Sequence, residues 1–129
     1  RITDVSGSSL YFREGVVAYS NEAKMRILGV KEETLNEFGA VSRDTALEMA
    51  RGAQRISGTD IGLATTGISG PTGATLEKPV GLVYIAFVWP KAGVEICNEF
   101  HFTGQRREIK ESTVINALDI LRKALQEKD

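Results

Sequence analysis

Cys97 and His101 are the only cysteine and the only histidine in the chain. One cysteine excludes an internal disulfide framework and any multi-cysteine zinc site, and one histidine leaves no pair to share a metal. No apolar run approaches the roughly 20 residues that span a bilayer. The opening Arg1-Ile2-Thr3-Asp4 lacks the charged-then-apolar layout of a secretory signal. An excess of one charge is also missing: 16 basic against 17 acidic residues give a net charge of −1. No global field therefore draws the chain to nucleic acid or to an anionic membrane, and any anion must be held by a local site. The expectation is a cytoplasmic domain with neither of those partners. The first residue is not Met, and Arg1-Ile2 looks like the tail of an apolar-periodic segment, so residues are expected upstream.

What is present is enough for one core: 129 residues, 42% of them hydrophobic. After a turn cluster at Ser6-Gly7-Ser8-Ser9, Gly15 to Tyr19 reads as a short buried strand. Asn21 caps a helix to Leu28 that ends at Gly29, and a second helix runs from about Glu32 to Phe38 and stops at Gly39. Ser42 caps a longer helix whose apolar stripe, Ala46, Met49, Ala50 and Ala53, is small enough for close packing within the domain or between subunits. Ile61 to Thr66 predicts a strand. Val80 to Trp89 is apolar on both faces, as a central strand of a covered sheet would be. Val94 to Phe102 alternates, and the short turn before it demands antiparallel pairing. From Arg107 to Gln126 a helical stripe of Val114, Ala117, Leu118, Leu121, Ala124 and Leu125 predicts the last helix, before a solvated Glu127-Lys128-Asp129 tail. With no internal repeat or linker, this order predicts one layered α/β unit with a mixed sheet.

Five of the thirteen glycines fall between Gly62 and Gly81, where the chain must bend sharply or approach a ligand closely. The loop Gly67-Ile68-Ser69-Gly70-Pro71-Thr72-Gly73 follows a strand and suits backbone N–H groups aimed at a phosphate or an oxyanion, or simply a turn-rich connection. It lacks the Gly-Lys-Ser/Thr ending of a P-loop, and Pro71 stands where a nucleophile elbow needs glycine. Thr65 and Thr66 at the strand end are hydroxyl donors or ordinary strand residues. Lys24, in the first turn of its helix, faces the positive end of the macrodipole, which disfavours the ammonium form and suits a base. Taken alone, a lysine there is more often a solvated surface residue. Tyr19 sits where its hydroxyl could orient Lys24 or relay a proton, or serve as an aromatic with a wet tip. Arg106 and Arg107 open the last helix, where two cations call for an anion or for Glu108. His101 alone supports no metal site, and Cys97 has no partner that would make it a nucleophile.

Longer strings go further. Gly15-Val16-Val17-Ala18-Tyr19-Ser20-Asn21-Glu22-Ala23-Lys24 continuing to Leu28-Gly29-Val30, then Phe38-Gly39-Ala40-Val41-Ser42, Thr66-Gly67-Ile68-Ser69-Gly70-Pro71-Thr72-Gly73 and Lys78-Pro79-Val80-Gly81, resemble in one order the CinA C-terminal family, the nicotinamide mononucleotide amidohydrolases. The resemblance runs from about Asp4 to the last helix. It implies an α/β/α domain, in many members one part of a longer protein, that hydrolyses the carboxamide of nicotinamide mononucleotide to nicotinic acid mononucleotide and ammonia in pyridine nucleotide salvage. No metal or organic cofactor is implied, the partner is a small-molecule nucleotide, and a homo-oligomer is expected. Relatives use a serine nucleophile with a lysine base. Lys24 stands at the lysine's position and Tyr19 beside it. Thr66, Gly67, Ser69, Gly70 and Gly73 stand on the pocket wall. Arg106 aligns with the arginine of a Gly-Asp-Arg segment that here reads Gly104-Gln105-Arg106. The family's nucleophile lies in a Ser-Cys-Thr-Gly-Gly motif on an N-terminal helix just before the segment resembling Arg1 to Val5, and residues 1–129 do not contain it. The alternative is a non-catalytic mononucleotide-binding or oligomerising module of a longer protein.

Overall fold

Helices on both faces of a small sheet follow from where the apolar residues fall. The computed structural model describes residues 1–127, so Lys128 and Asp129 of the expected tail lie outside the described residues. Two 3-10 turns, Ile2–Asp4 and Ser8–Leu10, precede α1 (Asn21–Leu28), α2 (Glu32–Phe38) and α3 (Arg43–Ser57). Then come β1 (Gly62–Gly67), β2 (Leu82–Trp89), β3 (Val94–His101) and α4 (Arg106–Glu127). The helix ends obey local chemistry. Ser42 accepts a bond from the Thr45 amide at 3.1 Å, as expected of a cap. At α1 the capping side chain is Ser20, one residue before the expected Asn21, because its hydroxyl is the one that reaches the Ala23 amide. Gly29 and Gly39 end α1 and α2 as expected.

The sheet order is β1-β2-β3, with both pairs antiparallel; Ala64 faces Ala86, and Ala86 faces Cys97. The α/β class and three layers hold, but the mixed sheet does not. A parallel pair would have needed the strand expected at Gly15 to Tyr19. That segment lies alongside the core without joining the ladder, with Val16 and Ala18 half-buried and Val17 and Tyr19 exposed. One-sided cover is what an extended segment on the core surface shows, and its apolar run has the composition of a covered strand without the pairing.

On one face, Ala64, Ala86 and Val88 meet Ala46, Met49 and Ala50 of α3, with Leu28, Val30 and Leu35 closing the cluster. The small-residue stripe thus packs inside the domain. Gly52 lets α1 cross α3 closely: a Cβ there would sit 1.9 Å from the Leu28 carbonyl oxygen. On the other face, Val83 and Ile85 meet Ile109 and Ala117 of α4, with Leu63, Phe100, Phe102 and Ile120 around them. Of the expected α4 stripe only Ala117 is buried; Leu118, Leu121 and Ala124 are half-buried, and Val114 and Leu125 are exposed. One helix covers only part of a three-stranded face, and its first turns, around Ile109, lie deepest.

Candidate functional site

Lys24 is the least ordinary residue of the chain. Its helix starts directly after the extended segment, and the first turn folds the side chain back over the backbone it has just left. The ammonium nitrogen donates to the Ala18 carbonyl at 3.0 Å. It thereby takes the place of the strand partner that Ala18 lacks. Lys24 is 7% exposed, and this burial lowers its pKa from the ordinary lysine value of 10.5. The macrodipole of α1 acts in the same direction. The solvated surface reading of Lys24 is therefore set aside: the amine is held inside, with one acceptor for up to three N–H groups.

Tyr19 lies just before α1, 84% exposed. Its hydroxyl accepts from Arg106 Nη2 at 3.4 Å, while Arg106 Nη1 donates to the Gly70 carbonyl at 3.0 Å. One guanidinium at the start of α4 therefore joins the segment before α1 to the glycine loop. The structure brings Tyr19, Gly70 and Arg106 together, and it links Tyr19 to Arg106, not to Lys24.

The glycine loop is anchored at both ends. The Ile68 amide donates to Leu82 at 2.9 Å and the Gly81 amide to Ile68 at 2.7 Å. Gly70 is at φ 77°, and a Cβ there would also lie 2.6 Å from the Val80 side chain, so the turn admits only glycine. Gly67 closes β1, Ser69 is half-buried and Gly73 is exposed. Among the described residues the amides of Ser69, Gly70, Thr72 and Gly73 have no protein acceptor. Thr66 is buried and donates to the Ala40 carbonyl at 2.7 Å. That bond uses its hydroxyl hydrogen, so toward a ligand Thr66 offers lone pairs and a wall.

Lys78, quoted for its motif but given no role by sequence, donates to the Phe38 carbonyl and pins the far limb of the glycine loop to the end of α2. Glu48 accepts from the Lys31 amide at 2.8 Å and from the Thr34 hydroxyl at 2.6 Å, fixing α2 on α3. The helical spacing offered no signal for either, because both partners lie many residues away. On β3, Glu99 takes the Tyr84 hydroxyl at 2.7 Å and His101 Nε2 at 2.9 Å. The Tyr84 pKa is pushed up to about 12, by burial first and then by Glu99. Burial also raises the Cys97 thiol, which makes it a poor nucleophile. Among the described residues no three His, Cys, Asp or Glu side chains gather in a way that would hold a metal ion, and no helix is long and apolar enough to cross a membrane.

Two open cavities run along α4. One, of about 430 Å³, lies between α4 and β1, with Phe12, Leu63, Ala117 and Leu118 in its wall. The other, of about 470 Å³, is a cationic groove at the start of α4. Neither is lined by Lys24 or Tyr19; Arg106 is what connects the groove to the cluster around Tyr19 and Gly70.

The family profile of the CinA C-terminal domain matches residues 1–125. The chain belongs to this family. It is 53% identical over 124 residues to a CinA-like protein of Endomicrobium trichonymphae, covering 96% of this chain and 28% of that protein. A CinA-like protein of Kosmotoga olearia is 52% identical over 126 residues, covering 97% of this chain and 30% of the relative. The chain thus spans less than a third of these relatives. Among solved structures, the competence/damage inducible protein CihA from Agrobacterium tumefaciens superposes with a TM-score of 0.91 at 45% identity, over 95% of this chain and 74% of that one. A competence or damage-inducible protein from Enterobacter asburiae gives 0.90 at 35% identity, over 96% and 77%. This CinA domain is therefore a core that these relatives carry with further chain.

Proposed function

We propose that this CinA domain hydrolyses the carboxamide of nicotinamide mononucleotide, with Lys24 as the base for a serine of a Ser-Cys-Thr-Gly-Gly segment preceding Arg1. The observation that carries the reading is the buried Lys24 amine with a single acceptor and a lowered pKa. A neutral amine has a lone pair for the serine proton. The alkoxide attacks the carboxamide carbon, the tetrahedral adduct returns the proton from Lys24 to nitrogen, and ammonia leaves. Water then adds to the acyl-enzyme, loses a proton to the same amine, and releases the carboxylate product and the serine. The unpartnered loop amides of Ser69 and Gly70 supply donors for the substrate or its oxyanion. Arg106, held by Tyr19 and Gly70, positions the nucleotide.

The test is ammonia release from nicotinamide mononucleotide by the protein expressed from its native start, run beside residues 1–129. Lys24→Ala in the longer form is expected to lower turnover about 100-fold or more with the fold intact; retained turnover removes Lys24 from the mechanism. The acid limb of the rate profile should fall as Lys24 becomes protonated, at a pH below 10.5. The second reading is a module that binds the nucleotide without cleaving it. Calorimetric binding without turnover by the native-start protein would establish that reading.

A further inference from the structure

We propose that Lys78 is a positioning residue of the glycine loop: by tying the loop's far limb to the end of α2, it holds the loop in the conformation that receives the nucleotide. This rests on the reading of that loop as a wall of the nucleotide site. β1 and β2 are antiparallel neighbours, and about two to five residues suffice to join such strands, yet here residues 68–81 intervene. A connection of that length keeps one conformation only where other elements hold it. From Pro71 to Glu77 every residue is exposed. Among the described residues the polar contacts of that stretch are confined to one turn, in which the Thr75 amide donates to the Lys78 carbonyl at 2.9 Å and the Lys78 amide to the Thr75 hydroxyl at 3.1 Å.

Above its base the loop is tied on both sides. Arg106 holds the near limb at the Gly70 carbonyl, and the Lys78 ammonium holds the far limb at the Phe38 carbonyl. The place Lys78 reaches is shaped for it. Gly39 is at φ 81°, and a Cβ there would lie 3.0 Å from Lys78 Nζ, so bare backbone both makes the turn and leaves room for the ammonium. The next two carbonyls are engaged as well: Gly39 accepts from the Thr45 hydroxyl at 2.7 Å, and Ala40 from the Thr66 hydroxyl at 2.7 Å. Consecutive carbonyls of this connector therefore take donors from the loop, from α3 and from β1. Lys78 and Thr66 are referred to one fixed stretch of backbone, which sets the far limb against the end of β1. The end of α2 is also the negative end of its macrodipole, where an ammonium is favoured. Among the described residues Lys78 forms no ion pair that would compete for it. The unpartnered amides of Thr72 and Gly73 lie between the two ties, so Lys78 acts on a ligand through the loop.

The test uses the native-start protein with Lys78→Met, which keeps the stem and removes the donor, and Lys78→Arg, which restores a donor. In amide relaxation NMR, residues 71–78 should lose order in Lys78→Met and regain most of it in Lys78→Arg, while α2 and β2 stay unchanged. A loosened loop is competent in only a fraction of molecules, and apparent affinity falls by that fraction. Lys78→Met should therefore raise KM for nicotinamide mononucleotide about tenfold with kcat within about twofold, and Lys78→Arg should recover most of the loss. A tie that served stability alone would lower the urea midpoint and leave KM where it was. Loop order unchanged in Lys78→Met, or order lost with KM unchanged, would overturn the role of Lys78 and leave the amidase reading. If the unsubstituted protein releases no ammonia, the same comparison is made by calorimetric binding of the mononucleotide. Binding about tenfold weaker in Lys78→Met would then remove the amidase reading and keep Lys78 as the positioning residue, whereas unchanged binding would remove both.

Discussion

The two faces of the sheet are built differently. On the α3 face small side chains bring backbones together: Ala46 and Ala50 are fully buried, and Gly52 lets α1 cross at near contact distance. Polar ties lock that layer, from Glu48 under α2 to Arg51 reaching Glu95 on β3 at 2.8 Å. On the α4 face one helix covers three strands, only Ile109 and Ala117 of α4 are buried, and two cavities stay open beside it. The α3 face is closed by small residues and polar ties, whereas the cavities beside α4 are lined by the opening residues Arg1 to Thr3 together with α4.

The comparison breaks most sharply at Gly52. Gly52→Ala puts a methyl group 1.9 Å from the Leu28 carbonyl oxygen, and backbone cannot yield as a side chain can. A loss of about 3 kcal/mol or more in urea unfolding is expected. A loss below about 1 kcal/mol would mean that α1 and α3 are not so closely crossed. The α4 face should respond unevenly along its length. Ile109→Ala, at 0% exposure, is expected to cost about 2–4 kcal/mol, whereas Val114→Ala, at 39%, should cost under about 1 kcal/mol. Equal losses would contradict an open α4 face. The smallest effect belongs to the Arg51–Glu95 pair, whose side chains are nearly half exposed. Its bond to Arg51 holds the Glu95 carboxyl below its ordinary 4.5, so the contribution is full above that value and is lost as pH falls through the lowered one. Glu95→Gln should cost less than about 1 kcal/mol at pH 7 and nothing at a pH low enough to protonate Glu95.

Much of this molecule was legible in its sequence because much of it is local. Glycine and serine punctuation placed α2 and the start of α3, and the apolar run of β2 announced a strand covered on both faces. The misreadings share a cause. The Gly15 to Tyr19 run has a strand's composition but, among the described residues, no strand partner, and periodicity cannot say whether a neighbour exists. The α4 stripe placed its apolar side correctly but not which turns would be covered, and it passed over Ile109, the deepest residue of that helix. At the site, the family motifs singled out Lys24, Tyr19, Gly70 and Arg106 separately. That Arg106 reaches across 87 positions to Tyr19 and 36 to Gly70 is a fact of tertiary structure. So is the burial of Lys24, which composition alone would have left in water.

That burial is the central claim, and a lysine amine can be titrated directly. With residues 1–129 carrying isotope-labelled lysine, and Lys24→Arg to assign the signal, the ε-carbon shift of Lys24 followed from pH 6 to 12 gives its protonation midpoint. A midpoint clearly below 10.5 is predicted. A Lys24 midpoint at or above 10.5 would show an ordinary solvated ammonium and contradict its role as the base.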